Sequence, residues 1–186
     1  MKSFFQRHQL LISIAILMLG IAWISFTANY FEIPTDGFSP APKEGFQAPD
    51  FSLETLSGND LRLSDFRGQA VLVNFWASWC LPCRSEMPAM QQIYDAYKDD
   101  NFVILAVNAT HQDSLDNVKG FATTNNLSFP ILLDIDGTTV QKYFIRSFPT
   151  SFFIDKHGGV NEVIIGGPMS EALLEIRIQK LVEGED

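Results

Sequence analysis

Hydrophobic and polar positions follow three different rhythms along this chain. From Leu10 to Phe26 the run LLISIAILMLGIAWISF is interrupted only by Ser13, Gly20 and Ser25. It lacks the polar stripe of a helix packed against a soluble core. The uncharged stretch extends from Gln9 to Phe31. As a helix it would span roughly 35 Å, which covers the hydrocarbon of a bilayer. A transmembrane helix is therefore predicted over residues 10–31. From Ile33 to Gln47 the pattern dissolves into Pro34, Gly37, Pro40, Pro42 and Gly45, which predicts an extended linker over 32–47. After that, short apolar runs alternate with segments of helical period.

Residues 48–182 are predicted to form one domain of ordinary size. Phe51–Glu54 and Leu61–Leu63 flank Ser57-Gly58-Asn59-Asp60 and predict a hairpin. Two near-continuous apolar runs, Val71–Trp76 and Phe102–Val107, have the signature of strands buried on both faces. A helix is expected from about Cys80 to Tyr97, kinked at Pro88. Ser114 is a candidate N-cap for a helix to Asn125, and a shorter helix is expected over Thr138–Phe144. Ser151–Ile154 and Val160–Ile165 flank Asp155-Lys156-His157-Gly158-Gly159, a second hairpin, and Ser170 heads a last helix to Val182. Alternating strands and helices early, then a hairpin and a helix, imply an α/β fold. Its central sheet would be mixed, with helices on both faces and a hairpin extension at the N-terminal side.

Charge sharpens the division. Residues 1–31 hold Lys2 and Arg7 and no acid, which leaves 11 basic against 22 acidic side chains in the remainder. The positive-inside rule then keeps the N-terminus cytoplasmic and places everything after residue 31 outside, in a single-pass protein of the cell membrane. A cleaved signal peptide is the competing reading. Ser25-Phe26-Thr27 is a poor match to a small-residue cleavage site, so an uncleaved signal anchor is expected. The acidic domain lacks the basic face that nucleic-acid binding needs.

The chain has two cysteines, in Cys80-Leu81-Pro82-Cys83, directly after a predicted buried strand and at a predicted helix start. Unpaired N–H groups and the helix dipole at that place favour a thiolate. A second cysteine one turn further in is close enough for a disulfide. Half a zinc site would need further ligands, but His8, His111 and His157 are scattered. An inert structural disulfide closing so short a loop would remove little chain entropy. Two buried free thiols suit a cytosolic protein better than an exported one. The strand-to-helix context favours a redox couple.

Phe75-Trp76-Ala77-Ser78-Trp79-Cys80-Leu81-Pro82-Cys83 resembles the active-site segment of the thioredoxin superfamily, and Phe148-Pro149-Thr150 resembles its cis-proline loop. Ala48-Pro49-Asp50-Phe51, Leu63-Ser64-Asp65-Phe66 and Arg84-Ser85-Glu86-Met87-Pro88 resemble landmarks of the membrane-anchored, extracytoplasmic TlpA/ResA-like thiol–disulfide oxidoreductases. The resemblance covers residues 48–182 and implies a thioredoxin-like fold.

It also implies roles. Cys80 would be the exposed attacking thiolate and Cys83 the more buried resolving thiol. Pro149 would hold a cis bond, leaving the backbone of Phe148 to pair with an extended substrate. Trp79, Leu81 and Pro82 would complete the substrate surface. Many thioredoxins carry a buried Asp where this chain has Asn74, which cannot titrate. Glu86 matches a Glu of the anchored branch and would support catalysis by exchanging a proton, provided it is partly buried; a solvated first-turn Glu is the alternative. Trp76 is expected in the core, Arg84 on the helix surface, His111 in a loop, and Asp134 and Asp136 in a turn with Gly137.

No cofactor beyond the Cys80–Cys83 couple and no metal are expected. The implied partners are exported proteins with cysteine thiols or disulfides, such as apocytochrome c with its haem-binding cysteines. A membrane thiol protein would donate electrons, and the membrane itself would hold residues 10–31. A disulfide reductase of this kind is the expected function. A thiol oxidase, a thiol peroxidase and a non-catalytic peptide-binding module are the alternatives. Peroxidases place Thr or Ser three residues before the reactive cysteine, where this chain has Ala77.

Overall fold

The computed structural model describes residues 16–20, 23 and 39–184. Two compact units divide the chain after Gly37. In the first, residues 16–20 and 23 are helical and exposed. Most of the predicted span 10–31, the Ser25–Thr27 site and residues 32–38 lie outside the described residues. Among the described residues no helix is long and apolar enough to cross a membrane.

The second unit contains β1 (Ser52–Glu54), β2 (Asp60–Arg62), β3 (Ala70–Trp76), α1 (Leu81–Tyr97), β4 (Phe102–Asn108), α2 (Leu115–Thr124), β5 (Ile131–Leu133), α3 (Thr138–Lys142), β6 (Thr150–Ile154), β7 (Val160–Ile165) and α4 (Glu171–Glu183). Five strands form a mixed sheet in the order β5-β4-β3-β6-β7. The first three are parallel, with β6 antiparallel to β3 and β7 antiparallel to β6.

The two central runs are apolar throughout because each strand feeds two cores. Ala70, Leu72 and Trp76 of β3 and Phe102, Ile104 and Ala106 of β4 meet Met87, Met90 and Ile93 of α1 and Leu174, Ile178 and Leu181 of α4. The alternate residues Val71, Val73, Phe75, Val103, Leu105 and Val107 pack against Phe51, Leu63, and Val140 and Tyr143 around α3. Alternation with period two thus survives as a choice of core, not as a choice between core and water. Asn74 is the polar residue on the α1-facing side of β3, and it is fully buried.

The sequence pattern did not predict β5. Its three residues lie between Pro130 and Asp134, too few for periodicity to register. The early hairpin covers its free edge: the Leu56 N–H donates to the Ile131 carbonyl, and Thr55 bridges to Leu132. The other edge is covered in part by residues of the expected linker. Gly45 N–H donates to Val160 O, Val160 N–H to Phe46 O, and Val163 N–H to a Glu44 carboxylate oxygen. Residues 44–46, within the expected linker, thus hydrogen-bond to β7.

Helix starts follow their caps. Ser170 Oγ accepts from Leu173 N–H at the head of α4. Ser114 precedes α2 but its side chain makes no cap bond. Instead its own N–H is held by Asp113. Helix α1 runs as one element through Pro88.

Candidate active site

Cys80 is the N-cap of α1. Extended backbone at the cap brings the chain off β3 through Ala77-Ser78-Trp79 and turns it into the helix. Cys80 and Cys83 form a disulfide with their Cα atoms 5.3 Å apart. Cys80 Sγ also accepts from Cys83 N–H at 3.2 Å, one of the helix's otherwise unpaired first-turn donors. That donor, with the helix dipole, stabilises negative charge on Cys80 once the disulfide opens. Pro82 occupies the first turn, where no intrahelical N–H is required.

One sequence expectation is corrected. Cys80 is only 6 % exposed, because its sulfur turns back onto the helix start, bonded to Cys83. What stands clear around it is apolar: Trp79 is 55 % and Leu81 78 % exposed. Cys83 is fully buried, as expected of the inner thiol.

The active-site turn is braced from the loop after β4. Asp113 accepts from Ser78 N–H and Ser78 Oγ, from Asn108 Nδ2 at 2.9 Å and from Ser114 N–H at 2.7 Å. Burial alone would raise its pKa, but these donors together hold it below the usual carboxylate range. The Trp79 indole N–H donates to Gln112 O at 3.0 Å, and its ring meets Phe148 edge-on with centroids 5.9 Å apart. Sequence reasoning missed Asp113. Its one local signal was a position next to a candidate N-cap.

Phe148–Pro149 is a cis peptide, and Pro149 is buried while Phe148 is half-buried. Gly167–Pro168 is a second cis peptide, which sequence reasoning missed although Gly-Gly-Pro marks a turn. Arg84 lies along the helix surface, its guanidinium 5.0 Å from the Phe121 ring centre and donating to Ser78 O. His111 sits in a short 3-10 turn with its backbone N–H on Asp134 O. Asp134 is fully buried and accepts from Thr139 and Val140 N–H at the head of α3, so its work is structural.

A buried polar cluster centres on Glu86 of α1. Glu86, one turn after Cys83 on α1, has no exposed surface, which excludes the solvated alternative. Its Oε1 accepts from Asn74 Nδ2 at 2.9 Å and its Oε2 from Met169 N–H at 3.2 Å. Asn74 Nδ2 also donates to Ser151 Oγ at 2.9 Å, and Asn74 Oδ1 has no partner. Burial pushes the Glu86 carboxyl above its usual range, opposed by the bonds from Met169 and Asn74. Asn74 thus stands where a titrating Asp is common, and the carboxyl group of this site is supplied by α1 instead. Ala77 is buried and offers no hydroxyl for peroxide.

The arrangement combines a disulfide at a helix start, both of its cysteines buried, an apolar rim of Trp79 and Leu81, and a buried carboxyl one turn further along the helix. The profile of the AhpC/TSA family matches residues 45–163. The thioredoxin-like protein YneN of Bacillus subtilis is 45% identical over 125 residues, 67% of this chain and 72% of that one. Thiol-disulfide oxidoreductase ResA of Geobacillus kaustophilus is 39% identical over 163 residues, 87% of this chain and 90% of that one. Among solved structures, StoA of Bacillus subtilis covers 69% of this chain and 96% of its own, with 34% identity and a TM-score of 0.62. A thiol:disulfide interchange protein of Chlorobium tepidum covers 78% and 98%, with 30% identity and a TM-score of 0.67. The chain therefore belongs to the AhpC/TSA family and, within it, to the thioredoxin-like thiol–disulfide oxidoreductases of the TlpA/ResA group.

Proposed function

We propose that this oxidoreductase is a disulfide reductase of exported proteins, held at the outer face of the cell membrane by residues 10–31. The observation that carries the reading is the Cys80–Cys83 disulfide at the head of α1, beside the exposed Trp79 and Leu81, with the buried Glu86 carboxyl one turn further along the helix. In the reduced protein the Cys80 thiolate attacks one sulfur of a substrate disulfide. A mixed disulfide forms and the other substrate sulfur leaves as a thiolate. Cys83 gives its proton to the Glu86 carboxylate and attacks the Cys80 sulfur. The second substrate sulfur leaves, takes up a proton, and the Cys80–Cys83 disulfide remains. Two electrons have passed to the substrate. A membrane dithiol donor returns them by the same exchange in reverse.

Trp79, Leu81, Pro82, Phe148 and Pro149 form the substrate surface in this reading, with the Phe148 backbone pairing with an extended segment. Apocytochrome c, whose haem-binding cysteines must be reduced, is the substrate we favour. The relatives named as thiol-disulfide oxidoreductases and the acid-poor N-terminal segment support this account. The test is a trap: Cys83→Ser expressed in the native host, followed by identification of what is covalently joined to Cys80. Exported thiol proteins and a membrane dithiol protein are expected. Recovery of no mixed disulfide would overturn the reading.

A further inference from the structure

The loop between β7 and α4 touches both halves of the site. At one end Gly166 N–H donates to Pro149 O at 2.8 Å. At the other Met169 N–H donates to Glu86 Oε2 at 3.2 Å. Gly167 lies between them, in the gap separating the proline ring from the carboxylate. A Cβ at this position would come 2.7 Å from Pro149 Cγ and 2.8 Å from Glu86 Oε2. Neither neighbour can give way freely. The ring belongs to a buried proline, and the carboxylate is tied on its other side to Asn74.

We propose that Gly167 is a positioning residue: its lack of a side chain leaves the space that the Pro149 ring and the Glu86 carboxylate both occupy, so that the substrate-docking loop and the proton-holding group keep one fixed relation. The loop is short and hydrogen-bonded at both ends, so any displacement at its centre moves one of the two partners. The catalytic meaning of this coupling rests on the reading of Glu86 as the proton partner of Cys83. The geometric coupling does not.

The groups around Glu86 can be named from each packed element. Asn74 comes from β3, Ser151 from β6 through Asn74, and the backbone of Gly167 and Met169 from the loop before α4, while Cys83 stands one turn earlier on the same helix. Of these, only Cys83 titrates, and only after reduction. In the oxidised protein the carboxyl therefore reports on its own surroundings.

The experiment uses the oxidised full-length chain in detergent, with carbon-13 in the glutamate carboxyls. The Glu86 signal is assigned by its loss in Glu86→Gln. In Gly167→Ala the Glu86 midpoint should rise by roughly one pH unit, because a displaced loop withdraws the Met169 N–H that favours the ionised form. The KM for a peptide disulfide should rise severalfold with it. Gly120→Ala, where a Cβ meets open space, should move neither. A Gly167→Ala protein with the parent's midpoint and the parent's KM would overturn the proposal. If Glu86→Gln leaves the pH profile of turnover unchanged, the proton role of Glu86 fails, while the carbon midpoint still decides the role of Gly167. Should Gly167→Ala not fold, the triple variant that adds both Glu86→Ala and Pro149→Ala removes both clashing atoms and should fold. If that triple variant fails to fold while the Glu86→Ala/Pro149→Ala double variant folds, the proposal is overturned.

Discussion

Replacing Glu86 by Gln removes a buried ionisable group while keeping its size, and the consequence can be worked out in sign and slope. Burial raises the Glu86 carboxyl above its ordinary value of 4.5 in the folded protein. The unfolded chain releases that proton near the ordinary value. Between the two, the folded state binds more protons, so stability falls as pH rises. Below the window both states are protonated, and above it both are ionised. A full proton of difference gives a slope of about 1.4 kcal/mol per pH unit. Gln cannot titrate, so the variant lacks this slope. Its amide N–H faces one of the two donors, Asn74 Nδ2 or Met169 N, as the O–H of the protonated carboxyl does, so this mismatch is shared with the parent at low pH. The two stability curves should therefore lie closest at low pH and diverge as pH rises from about 4.5, the parent losing stability relative to the variant. Urea unfolding of both oxidised proteins from pH 4 to 8 measures this. Other carboxyls cancel in the difference. Parallel curves across the whole range would refute the claim that Glu86 is held above its usual range by burial.

Cys80→Ser should abolish turnover, and Cys83→Ser should leave the protein covalently joined to substrate, both read by non-reducing electrophoresis and mass spectrometry. Asp113→Ala removes the acceptor of four donors around Ser78 and should cost about 1–3 kcal/mol in urea unfolding. Because the folded pKa of Asp113 is depressed, its contribution is present above the ordinary value of 3.8 and is lost as pH falls through the folded value. The variant should therefore show a shallower acid limb than the parent. Trp79→Ala removes the exposed ring that meets Phe148 and should raise KM for a peptide disulfide more than for a small aromatic disulfide reagent. Equal changes for both would place Trp79 outside the docking surface.

Much of the fold was legible because it rests on long, strongly patterned segments. The buried strands at Val71–Trp76 and Phe102–Val107 declared themselves by unbroken apolar character, and the structure explains it by two cores served from one strand. Cys80 and Cys83 were legible from local context, a strand-to-helix junction, and the cis bond at Pro149 from the resemblance of Phe148-Pro149-Thr150 to the thioredoxin cis-proline loop. What sequence could not supply was distance. Glu86 could be read as a neighbour of Cys83 by helical spacing, but its complete burial depends on Asn74 from β3 and Met169 from the far end of the chain. Asp113 is 35 residues from the Ser78 it braces, and nothing local marks that pairing. Cys80 looked exposed because helix starts usually are, yet its sulfur is bonded to Cys83 and the residue is buried. The three residues of β5 are fixed by pairing with β4 and by the hairpin that covers its edge, not by their own pattern.

The direction of electron flow is the central claim, and the equilibrium reduction potential of the Cys80–Cys83 couple tests it most directly. Titration against defined glutathione and dithiothreitol ratios, read by thiol alkylation, gives the value. A reductase needs a couple near the thioredoxin end of the scale, about −270 mV. A value close to that of a strong oxidant, about −120 mV, would contradict the account and make this protein a donor of disulfides.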